Sequence, residues 1–238
     1  MLLHNPRTAP HYHRSSLQHM IKEACVETLH QAQQAEALGA DQIELCSRLD
    51  LDGLTPDKDL VRQVLASLNI KVKVMVRPRS GNFVYDEMEL QTMMGSIERF
   101  KSMGVQEVVF GVLESTTTTS SDGQEQQYTI DVAATKRLAD AAAPMSVTFH
   151  KAFDLLHDPI LGMQQLVDIG SISSVLTSGG QQTAEQGAKT IEKLHQVANG
   201  KLQIIAGGKI TDKNLGRIQQ LLPRVDAFHG KLIVGHLD

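Results

Sequence analysis

The chain has 238 residues, 41% of them hydrophobic, which is enough to bury one large α/β core. Its 23 basic and 27 acidic side chains give a net charge of −4, with no run of Lys and Arg interleaved with aromatic residues and no apolar run near the roughly 20 residues of a membrane span. We therefore expect no nucleic-acid or membrane partner, and because two cysteines do not form a disulfide framework, we expect reduced thiols and a cytoplasmic location.

The first 19 residues are polar and irregular and contain four histidines: His4, His11, His13 and His19. A regular strand pattern begins at Met20. Chain termini are commonly loose, so we expect residues 1–19 to be a leader, either a native disordered segment or a remnant of cloning. Residues 20–238 are predicted to form one domain.

From Met20 onward, short apolar runs alternate with longer amphipathic ones. The eight predicted strands are IKEACVE, QIELC, KVKVMVRP, EVVFGVL, MSVTFHKAF, SSVLTS, LQIIAG and VDAFHG. The seven predicted helices between them span residues 30–38, 57–67, 86–103, 131–142, 159–169, 185–198 and 212–222. This alternation is typical of a (β/α)₈ TIM barrel with eight parallel strands. A doubly wound open sheet is the alternative, but no Gly-rich dinucleotide loop follows the first strand.

Two segments interrupt the regular alternation. Residues 230–238 are too few for a full eighth helix, so part of the barrel wall should be uncovered, and we expect a homodimer or higher homo-oligomer to cover it. The polar segment STTTTSSDGQEQQ, residues 115–127, follows the fourth strand. We predict that it is a solvated loop at the mouth of the barrel, with a lid as the alternative.

Side chains alternate between the two faces of each predicted strand. In a barrel the outward face packs on helices and is apolar, as the valines of KVKVMV are, so the opposite face lines the lumen. Buried charges persist when they are paired, so we expect the lumen glutamates to face Lys73 and Arg77, and Glu44 to orient Arg77. The predicted lumen residues are Glu23, Cys25, Glu27, Glu44, Cys46, Lys73, Met75, Arg77, Ser146, Thr148 and His150.

Glycine pairs end the sixth and seventh strands, in SGG and AGG, at the end of the barrel where such enzymes hold their sites. Backbone N–H groups next to glycine can approach an anion closely. The alternative is that these glycines form tight turns that need positive φ. We predict a site for a small phosphate- or carboxylate-bearing metabolite built from Arg77, Ser178, Gly179, Gly180, Gly207 and Gly208.

Ionisable residues in the lumen are candidates for catalysis as well as for binding. Histidine titrates near neutral pH, and arginine offers a planar fork to carboxylate or phosphate. A satisfied core histidine is the alternative for His150. The spacing contains no nucleophile–base pair or metal triad that identifies a reaction, so it leaves open whether the protein is an enzyme. The candidate catalytic residues are Glu44, Arg77, His150 and His229.

Seven segments occur in a recognisable order: IKEACVET, GADQIELCSRLDLDGLTP, VMVRPRSGNFVY, VVFGVL, TFHKAFD, VLTSGG and FHG. From about residue 20 to residue 230 they resemble the CutC family. The resemblance implies a cytoplasmic barrel, often oligomeric, with a part in copper homeostasis and Cu(I) bound through Cys25 and Cys46. It also implies a polar lumen set of Glu44, Arg77, His150 and His229. The sequence departs from the family pattern at Lys151, at Lys231 and in the enlarged segment after the fourth strand.

Copper binding also has a physical basis in the sequence. Cu(I) is soft and prefers thiolates, and the two cysteines lie on inner faces of adjacent strands, about 4.8 Å apart. Against this, the strand alignment places Cys25 one layer deeper than Cys46, and free cysteine is a common small apolar core residue. Met75 could add a thioether or simply fill space.

Overall fold

The structure is a computed structural model that describes residues 20–120 and 123–238. Residues 1–19, the predicted leader, lie outside the described residues. In the described part of the chain, no helix is both long enough and apolar enough to cross a membrane.

Eight parallel strands close into a barrel, which confirms the predicted (β/α)₈ TIM fold. Each strand pairs with the next barrel strand along the chain, and the last pairs with the first, for example Glu23 with His229. All eight predicted strands are present, although most are shorter than predicted. The barrel strands are β1 (Ile21–Val26), β2 (Gln42–Leu45), β3 (Lys71–Met75), β4 (Glu107–Phe110), β7 (Ser146–Phe149), β8 (Ser174–Thr177), β9 (Gln203–Ala206) and β10 (Ala227–Gly230).

Within residues 20–120 and 123–238, seven α-helices pack outside the barrel, as predicted. The side chains of Thr28, Asp57, Asp86, Asp131 and Asp158 accept hydrogen bonds from first-turn N–H groups, because these residue types cap helix starts. The helices are α1 (Leu29–Ala37), α2 (Lys58–Ser67), α3 (Glu87–Ser102), α4 (Val132–Ala142), α5 (Pro159–Ile169), α6 (Ala188–Ala198) and α7 (Leu215–Leu221).

The last two helices begin three residues later than predicted, because tertiary contacts hold the preceding residues in turns. Before α6, a Cβ on Gly187 would lie 1.8 Å from the carbonyl oxygen of Ser178, so the chain packs there without a side chain. Before α7, Asp212 N donates to Leu232 O at 2.9 Å and ties the turn to the C-terminal tail.

The polar segment after β4 is a β-hairpin, so the prediction of a loop at residues 115–127 is wrong. Strands β5 (Leu113–Ser120) and β6 (Gly123–Ile130) pair antiparallel, from Leu113 opposite Ile130 outward. Threonine is β-branched and favours extended backbone even where the side chains are polar. The buried Leu113 and Ile130 anchor the hairpin to the barrel.

Residues 231–238 contain no helix, so the predicted absence of an eighth full helix is confirmed. Ile233 is buried, but Leu38, Leu221 and Leu232 keep 51%, 44% and 42% of their surface exposed. The described residues therefore leave apolar side chains in contact with solvent at the end of α1, on α7 and in the tail.

The outward faces of the strands form the apolar core with the helices, whereas the lower part of the lumen is charged. Lys73 Nζ lies 2.8 Å from Glu23 Oε2 and 3.2 Å from Glu107 Oε1, and it donates to Thr148 Oγ1 at 3.2 Å. The predicted pairing of Glu23 with Lys73 is confirmed. We call Glu23, Lys73, Glu107, Thr148 and Ser174 the lower layer.

Candidate functional site

A cavity of about 320 Å³ opens at the carboxyl end of the barrel. Strand alternation and the closed barrel bring together residues on β1, β2 and β10 with His150, which directly follows β7, and Arg77, two residues beyond β3. All four candidate catalytic residues line this cavity. We call its polar lining the cavity layer: Cys25, Glu44, Arg77, His150 and His229.

Two thiols meet one carboxylate beside the cavity. Cys25 Sγ lies 3.4 Å from Glu44 Oε2, and Cys46 Sγ lies 3.6 Å from the same oxygen. These three groups offer ligand atoms that all lie within 4.8 Å of one another, so they could hold a metal ion. Both cysteines are free and buried, and only Cys25 lines the cavity.

The offset between the cysteines does not separate their sulfur atoms. Cys25 pairs in register with Glu44, so Cys46 lies two residues further along the chain, directly after β2. The predicted layer difference therefore exists in the backbone, but both side chains reach Glu44. Gly53, at φ 85°, makes room for this arrangement, because a Cβ there would lie 3.1 Å from Cys46 Sγ.

His229 joins the thiol cluster to the lower layer. Its Nδ1 lies 2.8 Å from Glu23 Oε1 and its Nε2 lies 3.9 Å from Glu44 Oε2. Glu23, Glu44 and His229 form a second group with the spacing of metal ligands. However, Glu23 Oε2 is already bonded to Lys73 and to the side chain of Gln42. The ligand atoms of Cys25, Glu44 and Cys46 therefore have fewer competing partners than those of Glu23, Glu44 and His229.

The carboxylates that His229 joins have opposite pKa shifts. Burial opposes ionisation of Glu23, but Lys73 and His229 outweigh it and lower the pKa of Glu23 to about 2. Burial raises the pKa of Glu44 to about 8, although His229 opposes this. Burial alone would lower the pKa of His229, but contacts with Glu44, Cys25 and Glu23 raise it well above its usual value. At neutral pH, Glu23 and His229 are therefore charged and Glu44 is protonated.

The pKa values of the two thiols are also shifted in opposite directions. The hydrogen bond with Cys46, which outweighs burial with the help of His229, lowers the pKa of Cys25 to about 5. The bond with Cys25, together with burial, raises the pKa of Cys46 above its usual value. Cys25 is therefore the thiolate of the pair at neutral pH.

Arg77 does not pair with Glu44, so that expectation is wrong. Its Nη1 donates to the carbonyl groups of Leu51, Asp52 and Gly53 at 3.0–3.2 Å, and its Nη2 donates to Gly81 O at 3.0 Å. Among the described residues it forms no ion pair. Arg77 lies two residues beyond the end of β3, so its guanidinium reaches past Glu44 to the turn that follows β2.

His150 is neutral and its proton is on Nε2. Its Nδ1 accepts a hydrogen bond from Ala152 N at 3.2 Å, so Nδ1 carries the lone pair. Burial and the charge of Arg77 lower the pKa of His150 to about 3. The Phe83 ring contacts both side chains, with its centroid 4.9 Å from that of the His150 ring and 4.6 Å from Arg77 Cζ.

The predicted glycine-rich anion donors already have a partner within the protein. Ser178 N and Gly180 N donate to Asp154 Oδ1 at 3.0 and 2.9 Å, and Gly179 N donates to Thr177 Oγ1. Asp154 was not predicted as a site residue, although it ends the TFHKAFD segment. The structure therefore does not bring these donors together with Arg77.

The glycine pair after β9 has a packing role. Gly207 N donates to Thr177 O at 2.9 Å, and a Cβ on Gly208 would lie 2.8 Å from Ser178 Cβ. Gly208 has φ 106°, a backbone conformation that favours glycine. This agrees with the alternative given for the glycine pairs, that they form tight turns that need positive φ. Neither glycine lines the cavity.

Comparisons with known proteins agree with the sequence resemblance. A CutC family protein from Glaesserella parasuis is 40% identical over 82% of this chain and 76% of its own length. The human copper homeostasis protein cutC homolog is 39% identical over 83% of this chain and 68% of its own length. A crystal structure of CutC from Streptococcus agalactiae has a TM-score of 0.78 and 31% identity, and covers 90% of this chain and 99% of that one.

More distant structures share only the fold. A phosphoenolpyruvate phosphomutase from Streptomyces platensis, at 12% identity and a TM-score of 0.58, covers 88% of this chain and 75% of that one. The model of the CutC family matches residues 20–231, nearly all of the described chain. Together with relatives near 40% identity over most of its length, this match shows that the chain belongs to the CutC family.

Proposed function

We propose that this protein binds Cu(I) through Cys25 and Cys46 and takes part in copper homeostasis, the function in the names of its human and mouse relatives. The observation that carries the proposal is the convergence of both thiols on Glu44, with the three ligand atoms within 4.8 Å of one another. Cu(I) is soft and prefers sulfur to oxygen or nitrogen. The thiols are therefore the metal ligands, and Glu44 orients them.

The electrostatics of the thiol cluster support a monovalent cation. Metal binding requires thiolate, and the hydrogen bond from Cys46 lowers the pKa of Cys25 to about 5. Binding then releases only the Cys46 proton. The charge of the resulting bis-thiolate complex is −1, and the imidazolium of His229 next to Cys25 offsets it. Met75 packs against both cysteines and fills the remaining apolar space.

A competition titration tests this proposal. Metal-free, reduced protein without residues 1–19 is titrated anaerobically with Cu(I) against a chromophoric Cu(I) chelator, so that the N-terminal histidines cannot contribute. We expect one equivalent in the wild type and none in the double variant Cys25→Ser/Cys46→Ser, because hydroxyl oxygen is a poor ligand for Cu(I). Met75→Leu, a volume-conserving control, should keep the stoichiometry. Unchanged stoichiometry in the double variant would refute the site.

The same chemistry supports a reducing compartment and an assembly. Oxidation of either thiol would remove a copper ligand, which supports action in the cytoplasm. The exposed Leu38, Leu221 and Leu232 support a homodimer or higher homo-oligomer that covers the wall without a helix, with residues 20–238 as its single domain. A mass measurement in solution tests the assembly.

A further inference from the structure

The outer part of the cavity contains polar atoms that copper binding does not use. His150 Nε2 and Arg77 Nε are buried without a hydrogen-bond partner among the described residues, and each residue is only 4% exposed. Both residues line the cavity. Both atoms are donors, since His150 Nδ1 carries the lone pair and guanidinium has no acceptor. A buried donor without a partner is costly, so such a pair marks the place of a ligand acceptor.

The charges around the cavity favour an anion. Four basic side chains line it, against two carboxyl side chains, and one of the four, Lys151, is paired with Asp154. Arg77 is also held rigidly, because its Nη atoms donate to four backbone carbonyl groups. Its Nε–H is the buried donor without a partner, so Arg77 offers a ligand at least one hydrogen bond and a full positive charge.

The two buried donors without a partner favour one class of anion. A phosphate has more oxygens than these two buried donors can satisfy, and protein sites usually add backbone N–H groups for them. Here Ser178 N and Gly180 N already donate to Asp154. A carboxylate has two oxygens, which matches one donor on His150 and one on Arg77. The Phe83 ring, in contact with both residues, offers an apolar surface to the carbon part of a ligand.

We propose that the cavity binds a small organic carboxylate, with its oxygens accepting hydrogen bonds from His150 Nε2 and Arg77 Nε and its carbon atoms against Phe83. The volume of about 320 Å³ suits a molecule of a few carbon atoms. The site lies beside the thiol cluster but does not share its ligands. The carboxylate is a second ligand of the protein, in addition to Cu(I), and its site does not depend on bound copper.

A thermal-shift experiment on the full chain tests the proposal. Metal-free, reduced protein in a buffer without carboxylates is melted with acetate, lactate, malonate or succinate, and separately with inorganic phosphate. A ligand at ten times its Kd should raise Tm by about 3–6 °C in a chain of this size. Three variants complete the design. Arg77→Met removes the charge, His150→Asn removes the Nε2 donor but keeps an acceptor for Ala152 N, and Arg62→Met changes an exposed arginine outside the cavity.

The expected result is a saturable shift with at least one carboxylate that is lost in His150→Asn and Arg77→Met and kept in Arg62→Met. His150→Asn keeps the test valid if Arg77→Met fails to fold, and the ring ¹⁵N signal of His150 should move on binding. No saturable shift with any carboxylate, or the same shift in His150→Asn, would overturn the proposal. An equal or larger shift with phosphate would overturn the assigned class.

Discussion

The lower layer and the cavity layer lie in the same lumen but differ in how completely their polar atoms are satisfied. In the lower layer Lys73 contacts both Glu23 and Glu107, and Thr148 lies 2.6 Å from Ser174 Oγ. In the cavity layer Glu44 Oε1, Arg77 Nε and His150 Nε2 are buried without a partner among the described residues. The lower layer therefore has the satisfied polar atoms of a structural core, whereas the cavity layer has buried polar atoms that a ligand could satisfy.

The difference follows from where each layer lies along the strands. Glu107 and Ser174 of the lower layer occupy the first positions of β4 and β8, and on β1 Glu23 precedes Cys25 of the cavity layer. Cavity-layer residues line the cavity at the carboxyl end of the barrel, and Arg77 and His150 lie beyond the ends of β3 and β7. In a barrel this end holds function and the other end holds stability. Buried charge therefore stabilises the fold in the lower layer and indicates a binding site in the cavity layer.

The largest expected effect is the loss of the central cation of the lower layer. Lys73→Met leaves Glu23 and Glu107 facing each other in the buried lumen, and we expect a loss of about 3–5 kcal/mol in the free energy of unfolding. Chemical denaturation monitored by circular dichroism measures this loss.

The matched control for Lys73→Met is Lys136→Met, which removes an exposed lysine paired with Asp140 on α4. This exposed pair should contribute less than about 1 kcal/mol. If the two variants lose equal stability, the lower layer is not a structural network.

The second expected effect is a pH dependence that separates the carboxylates of the two layers. Folding raises the pKa of Glu44 from near 4.5 in the unfolded chain to about 8. The contribution of Glu44 to the free energy of unfolding is therefore fully present below pH 4.5 and is lost as the pH rises to about 8. Glu44→Gln in metal-free protein should therefore be more stable than the wild type at pH 8, by up to about 4 kcal/mol, and no more stable at pH 4.5. The pKa of Glu23 is lowered to about 2, so its contribution is present above pH 4.5 and is lost as the pH falls towards 2.

Denaturation at several pH values measures this crossover. Glu98→Gln, an exposed change on α3, should leave stability within about 0.5 kcal/mol of the wild type at every pH. A gain for Glu44→Gln that does not change with pH would show that Glu44 is not protonated on burial.

The sequence predicted the barrel and most residues of both layers, because strand alternation fixes which side chains point inward. Glu107 and Ser174 of the lower layer were not among the predicted lumen residues. Glu23, Cys25 and Glu44 needed no information beyond the strand period and the closure of the sheet. The partners of Arg77 and the role of Asp154 could not be predicted in this way. Both depend on loops after β2 and β7, whose paths bring backbone groups to side chains through tertiary contacts. The hairpin of β5 and β6 was missed because polar composition outweighed the β-branched threonines in the prediction.

The smallest expected effect concerns Gly53, which adjoins Cys46 at the edge of the cavity layer. Gly53→Ala places a Cβ 3.1 Å from Cys46 Sγ at φ 85°, so it should cost about 1–2 kcal/mol in stability and also displace the thiol. Gly104→Ala is the matched control, since Gly104 has φ 82° and a Cβ there meets no atom within 4 Å. Both variants should lose similar stability, because the backbone penalty is the same. Only Gly53→Ala should weaken Cu(I) binding, by about tenfold for each 1.4 kcal/mol of lost ligand geometry. Equal Cu(I) affinities in the two variants would mean that the position of Cys46 does not affect Cu(I) binding. The thiol cluster would then have a structural role, as the lower layer does.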